Sequence, residues 1–144
     1  MRKSLAILCA VAGLTAATSA AVIPLVPAGD VSVTASYKGK GPVDPKHAIL
    51  VFLFDHPTPT AASEPLGMQV ITKNGETVTF KNVTTETVYV TVVYDEKSIY
   101  DGRSGPPPEG TPIGSYAKAG KPVPVKPGPD AKVTVAFDDS RRWK

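Results

Sequence analysis

Residues 48–54 read Ala-Ile-Leu-Val-Phe-Leu-Phe, and this continuous apolar run decides the fold class. The run is too short for a typical helix, and its Ile, Val and Phe residues favour strands. A strand with one wet face would alternate apolar and polar residues, whereas a strand covered on both faces is apolar throughout. We therefore predict that residues 48–54 form a central strand of a β-sheet.

The flanking sequence contains further strands with an alternating pattern. Residues 31–37, 87–95 and 131–137 place apolar side chains at every second position, as half-buried strands do. The turn Lys73-Asn74-Gly75-Glu76 separates two more extended stretches, 68–72 and 77–80, and Asn-Gly predicts a tight β-hairpin there.

No segment has a helical pattern, and turn signals separate about seven short strands. We therefore predict an all-β chain that folds as a single antiparallel two-layer β-sandwich over residues 30–138. Residues 139–144 are predicted to form a solvated C-terminal tail, and residues 21–29 a linker to the first strand.

The amino terminus has the pattern of a secretory signal peptide at residues 1–20. Arg2 and Lys3 precede an uncharged apolar stretch, and small residues around Ala20 suit a signal peptidase. The apolar stretch is shorter than the roughly 20 residues that span a bilayer as a helix, so we expect no stable membrane span in the mature chain. The bulky Leu8 directly before Cys9 argues against lipoprotein processing. The predicted location is periplasmic or secreted.

Cleavage would remove Cys9, the single cysteine, so the mature domain could form no internal disulfide and would depend on its apolar core. Cleavage would also remove Arg2 and Lys3, which lowers the formal net charge of +3 by two, to +1. The remaining charges are scattered along the chain and form no basic stripe. We therefore expect no nucleic-acid partner.

Three stretches carry a resemblance to a known family. They are Val-Thr-Ala-Ser-Tyr-Lys-Gly at 33–39 leading into Ile-Leu-Val-Phe-Leu-Phe-Asp at 49–55, Val-Thr-Phe-Lys-Asn-Val at 78–83, and Val-Tyr-Val-Thr-Val-Val-Tyr-Asp at 88–95. Their order resembles the transthyretin-like, or carboxypeptidase regulatory-like, β-sandwich of secreted bacterial proteins. The resemblance implies the fold but no particular activity.

Catalysis is not expected from the sequence. The enzyme of that fold, which hydrolyses 5-hydroxyisourate, ends in a Tyr-Arg-Gly-Ser-like tetrapeptide, whereas residues 141–144 read Arg-Arg-Trp-Lys. The chain has no Gly-x-Ser-x-Gly nucleophile turn, and its two histidines, His47 and His56, lie at opposite ends of the apolar run. An extended strand would separate them by roughly 30 Å, too far to share a metal ion. We predict a non-enzymatic protein without a cofactor, in which both histidines are ordinary surface residues.

The Gly- and Pro-rich loop 96–116 is the predicted interaction site. It is longer than a simple connection requires, and Pro106-Pro107-Pro108 stiffens it. Tyr100 and Tyr116 are the candidate binding residues, because tyrosines stack on sugars and fill pockets of protein partners. We predict a binding or structural module that contacts an envelope protein or glycan through this loop.

A metal-handling accessory protein is the alternative hypothesis. It would use His56 or the carboxylates that frame the loop, Asp95, Asp101 and Glu109, since calcium prefers oxygen ligands. The spacing from Asp95 does not match an EF-hand, because Lys97 and Ile99 stand where oxygen donors belong.

Overall fold

The computed structural model describes residues 17–23 and 25–144, which form nine β-strands and no helix. The strands are β1 (Gly29–Tyr37), β2 (Ile49–Phe54), β3 (Gly67–Ile71), β4 (Thr77–Val83), β5 (Tyr89–Tyr94), β6 (Ile113–Ser115), β7 (Ala117–Lys118), β8 (Lys121–Pro122) and β9 (Lys132–Phe137). Within the described residues there is no helix long and apolar enough to cross a membrane. Most of the predicted signal peptide, including Cys9, lies outside those residues.

The long strands form two sheets, which confirms the predicted all-β sandwich. One sheet has the order β3-β2-β5-β6 and is antiparallel throughout. The other has the order β4-β1-β9, in which β1 and β4 are antiparallel but β1 and β9 run parallel. A small hairpin of β7 and β8 lies beside them. The parallel pair of β1 and β9 joins the first strand of the domain to the last. The apolar pattern within each strand gives no indication of this pairing.

The main core lies between the two sheets, and β2 contributes to it with one face only. Ile49, Val51 and Leu53 point into this core, where they meet the inward side chains of β1, β5 and β9. Leu50, Phe52 and Phe54 point to the opposite, outer face of the four-stranded sheet and form a second apolar cluster. All six residues of β2 are buried. The prediction of a central strand covered on both faces is confirmed.

The predicted hairpin at Asn74-Gly75 is wrong. β3 pairs with β2, whereas β4 pairs with β1 in the other sheet, so the turn crosses from one sheet to the other. Gly75 does adopt a positive φ of 79°. Asn74 binds the end of β1 instead of closing a hairpin: its Oδ1 accepts the Tyr37 N–H at 2.8 Å and its Nδ2 donates to the Tyr37 carbonyl at 2.8 Å.

Most of the C-terminal segment 139–144 is exposed to solvent, as expected, but it is hydrogen-bonded to the domain and is not a free tail. Residues 141–143 run beside residues 110–113: Trp143 N–H donates to the Thr111 carbonyl at 2.9 Å, and Ile113 N–H donates to the Arg141 carbonyl at 3.0 Å. Asp139 accepts hydrogen bonds from the Tyr37 hydroxyl and from the Lys40 N–H. The pKa of Tyr37 is raised, chiefly because the side chain is buried and secondly because its hydroxyl bonds to Asp139. The C-terminal segment is therefore part of the domain.

Candidate functional site

A cleft of about 340 Å³ opens on the outer face of the four-stranded sheet. It lies between the β2–β3 loop (residues 55–66) and the β5–β6 loop (residues 95–112). Its floor is apolar and comes from the second cluster and its neighbours, namely Phe52, Phe54, Val93 and Ile113. Prolines of both loops line it, together with Tyr100, Arg103 and, from the C-terminal segment, Trp143.

Asp95 anchors the β5–β6 loop directly after β5. Its side chain is buried, and both carboxylate oxygens bind the loop backbone: Oδ1 accepts the Ile99 N–H and Oδ2 accepts the Tyr100 N–H, each at 3.1 Å. Hydrogen bonds to a charged acceptor are stronger than those between neutral groups. Asp95 therefore fixes the turn that brings Tyr100 onto the sheet.

Gly102 is the point at which the loop touches the sheet most closely. It is buried and has a φ of +73°, a conformation that L side chains rarely adopt. A Cβ atom at this position would collide with the sulfur of Met68 and would lie 2.6 Å from a methyl carbon of Leu50. Only glycine lets the loop backbone cover the outer apolar cluster in this way.

Tyr100, one of the two candidate binding residues, lines the cleft and also holds the loop. Its ring packs against Phe52 with ring centroids 6.3 Å apart, and its hydroxyl donates to the Gly105 carbonyl at 3.0 Å. Burial is the main reason that the pKa of Tyr100 is raised. Part of its surface remains accessible to a ligand.

Tyr116, the other candidate, lies on the opposite face of the same sheet. Strand positions alternate between faces, and Tyr116 follows β6 on the side that packs against the main core. It borders a separate concavity formed with residues 123–133. The two tyrosines therefore do not share one site, although both flank the predicted loop in sequence.

Two of the three loop carboxylates that the alternative hypothesis offers to a metal ion, Asp95 and Asp101, bind the loop itself. Asp101 accepts the Arg103 N–H at 2.8 Å, the Ser104 N–H at 2.9 Å and the Ser104 hydroxyl at 2.7 Å. Both oxygens of Asp95 are engaged as well. Among residues 17–23 and 25–144, no three His, Cys, Asp or Glu side chains come together as a metal-binding group. The metal-handling alternative gains no support from these contacts.

The hydrogen bonds to Asp101 should make the stability of the turn at residues 101–104 sensitive to acid. They lower its pKa from 3.8 to about 2, with the Arg103 N–H as the largest cause. Because the pKa of Asp101 is lower in the folded chain than in the unfolded chain, its ionised form stabilises the fold at pH values above about 3.8. This stabilisation is lost as the pH falls from about 3.8 through about 2. We expect Asp101→Asn to lose less thermal stability than the wild type between pH 5 and pH 2, as measured by circular dichroism.

Glu109→Gln is the matched control for this prediction, since Glu109 is an exposed carboxylate of the same loop and accepts no hydrogen bond from the described residues. Its acid-induced loss of stability should equal that of the wild type. Equal losses in Asp101→Asn and in the wild type would contradict the assignment.

Each histidine pairs with a carboxylate at one end of β2. His47 Nδ1 lies 3.0 Å from Asp44 Oδ1, and His56 Nδ1 lies 2.6 Å from Asp55 Oδ1. Both imidazoles are about one third exposed, at 32% and 38%. Only His56 has a second side-chain partner among the described residues, because its Nε2 lies 2.8 Å from Ser63 Oγ. Ser63 also lines the cleft, although no sequence pattern indicates a role for it.

Comparison with protein-family models, with curated proteins and with solved structures finds no match. The resemblance to transthyretin-like domains therefore stays a prediction from strand patterns. Functional inference for this chain rests on the cleft and its contacts.

Proposed function

We propose that this chain is an exported binding module that holds a segment of an envelope protein in the cleft between the β2–β3 and β5–β6 loops. The observation that carries the proposal is the cleft itself, which has an apolar floor between two proline-containing loops. A volume of about 340 Å³ accommodates one or two bulky side chains. Binding of this kind requires no chemical step.

The composition of the walls favours a protein segment over a glycan. Pro59 and Pro65 line one side, and Pro106 and Pro107 line the other. Grooves made of aromatic and proline side chains hold extended peptides well, because aromatic and proline side chains are stiff and lose little conformational entropy on binding. Tyr100 is less suited to a sugar, because its ring already packs against Phe52 and its hydroxyl is already bonded to the Gly105 carbonyl.

Trp143 provides a direct test, because it is the single tryptophan of the chain and lines the cleft. Purified protein would be titrated with extended peptides that carry bulky apolar residues and, separately, with oligosaccharides from bacterial envelopes. We expect a saturable change in Trp143 emission with at least one peptide class. Saturable binding of oligosaccharides alone would replace the protein partner with a glycan, and no change with either set would refute the cleft as the binding site.

A pair of variants separates cleft binding from unspecific adsorption. Ala62→Leu places extra apolar volume in the cleft lining, whereas Ala117→Leu makes the same change at an exposed position of β7. We expect Ala62→Leu to weaken peptide binding about tenfold or more, equivalent to 1.4 kcal/mol or more. Ala117→Leu should bind as the wild type does.

A further inference from the structure

Three side chains at the start and end of the β2–β3 loop form a continuous hydrogen-bonded row. Asp55 Oδ1 lies 2.6 Å from His56 Nδ1, and His56 Nε2 lies 2.8 Å from Ser63 Oγ. The order carboxylate, imidazole, hydroxyl is the one by which a histidine activates a serine nucleophile. Such rows are recognised by geometry and not by sequence spacing, so the absence of a nucleophile motif does not exclude one.

The protons in this row are placed by elimination. The hydrogen bond from His56 is the largest of the effects that lower the pKa of Asp55, so the carboxylate is ionised and can only accept. In the neutral form of the imidazole, His56 therefore carries its proton on Nδ1 and presents the lone pair of Nε2 to Ser63 Oγ. The Ser63 hydroxyl then donates to Nε2, in the direction that general-base catalysis requires.

The surroundings hold this arrangement in place. The Thr60 N–H donates to Ser63 Oγ at 2.8 Å and occupies an acceptor position of the hydroxyl, and the Ser63 N–H donates back to the Thr60 carbonyl at 3.0 Å. The ring of Phe54 packs edge-on against His56, with centroids 5.6 Å apart. Both the rotamer of Ser63 and the plane of the imidazole are thus supported by neighbours.

Ser63 lies at the cleft, so a substrate bound there would be next to the hydrogen-bonded row. Ser63 lines the same cleft as the apolar floor residues Phe52 and Phe54, which suit the hydrocarbon part of a ligand. Arg103, an exposed cation without an ion-pair partner among the described residues, lines that cleft too. A cation within hydrogen-bond reach of a carbonyl oxygen under attack would favour the negative charge that develops there.

We propose that Ser63 is a nucleophile that takes the acyl group of an apolar carboxylic ester bound in the cleft. Ser63 Oγ attacks the carbonyl carbon while His56 Nε2 takes the hydroxyl proton. The ester bond then breaks, and the alcohol leaves with that proton. Water subsequently gives a proton to Nε2 and attacks the acyl carbon as hydroxide, which releases the carboxylic acid and returns the proton to Ser63 Oγ. Asp55 is the positioning residue for the imidazole.

This activity goes beyond the proposed binding function and does not depend on it. Neither histidine lies in a nucleophile motif of the sequence, but the folded loop brings Ser63 to His56 from seven residues away. A partner protein could occupy the cleft without any acyl transfer, and Ser63 could react with a small ester without any partner protein.

A fluorophosphonate probe tests the proposal, because a serine activated by histidine displaces its fluoride and forms a stable Ser Oγ–phosphorus bond. The purified protein would be treated with a fluorophosphonate, and peptide mass mapping would locate the adduct. Hydrolysis of p-nitrophenyl butyrate would be followed in parallel. We expect one adduct, at Ser63, and ester hydrolysis that the adduct abolishes.

Variants decide whether the reaction depends on the row. His56→Ala should slow adduct formation about 100-fold or more, while His47→Ala, which removes a histidine paired with a carboxylate but not with a hydroxyl, should leave it unchanged. Asp55→Asn should lower kcat for the ester without raising KM. Melting temperatures near that of the wild type would show that each variant is folded. An adduct elsewhere, or none on folded wild-type protein, would overturn the proposal.

Discussion

Asp95→Ala is expected to lower the free energy of unfolding by about 3 kcal/mol, because it removes two hydrogen bonds to a charged acceptor and leaves two backbone donors without partners. For a domain of this size the melting temperature should fall by roughly 10 °C. Urea denaturation followed by circular dichroism would measure the loss. The Ile99 and Tyr100 amides lie in the loop that covers the outer apolar cluster, so that cluster should become more exposed.

Two further variants control this prediction. Asp95→Asn keeps one acceptor oxygen and should lose about half as much stability, whereas Lys97→Ala changes an exposed side chain of the same loop and should stay within about 0.5 kcal/mol of the wild type. If Asp95→Ala and Lys97→Ala were equally stable, Asp95 would not anchor the loop.

Many strands of the sandwich could be predicted because the pattern of apolar residues within a strand indicates which of its side chains are buried. The alternation in β1 and β9 appears in the structure as alternating burial, and the unbroken apolar run of β2 appears as burial on both faces. A strand's period of two needs no knowledge of its partner strands. These predictions therefore did not depend on the topology.

The order of the strands could not be predicted in the same way. Asn74-Gly75 forms a tight turn whether the next strand returns to the same sheet or crosses to the other, and the long-range bonds from Asn74 to Tyr37 accompany the crossing. The parallel pairing of β1 with β9 joins the ends of the domain. Both features depend on contacts between residues far apart in the chain.

The candidate site was predicted only in part, for a related reason. The β5–β6 loop was identified from its length and composition, and Tyr100 lies in the cleft that it borders. Tyr116 was grouped with Tyr100 because they are near in sequence, but the sheet places them on opposite faces. Trp143 and Ser63 were missed, because their places in the cleft lining follow from pairing of the C-terminal segment and from the fold of the β2–β3 loop.

The β5–β6 loop links stability to the proposed function. Tyr100 and Gly102 cover the outer apolar cluster, and the same loop forms one wall of the cleft. A variant that releases the loop should therefore lower stability and also disturb the cleft. Trp143 emission would detect the disturbance, which should be larger in Asp95→Ala than in a core variant of equal stability loss.

Gly114→Val is expected to destabilise the domain by about 3 kcal/mol, through overpacking between the two sheets. Gly114 is buried in β6 and faces β9: an added Cβ would lie 2.5 Å from Phe137 Cβ and 3.0 Å from a Val92 methyl carbon. Neither neighbour can move freely, because both belong to the main core.

The control is Ser115→Val, which introduces the same side chain at the next position of the strand. There the side chain points away from the core and is partly exposed. Urea denaturation should give Ser115→Val a stability within about 1 kcal/mol of the wild type, and an equal loss in both variants would show that the sheets do not approach this closely at Gly114.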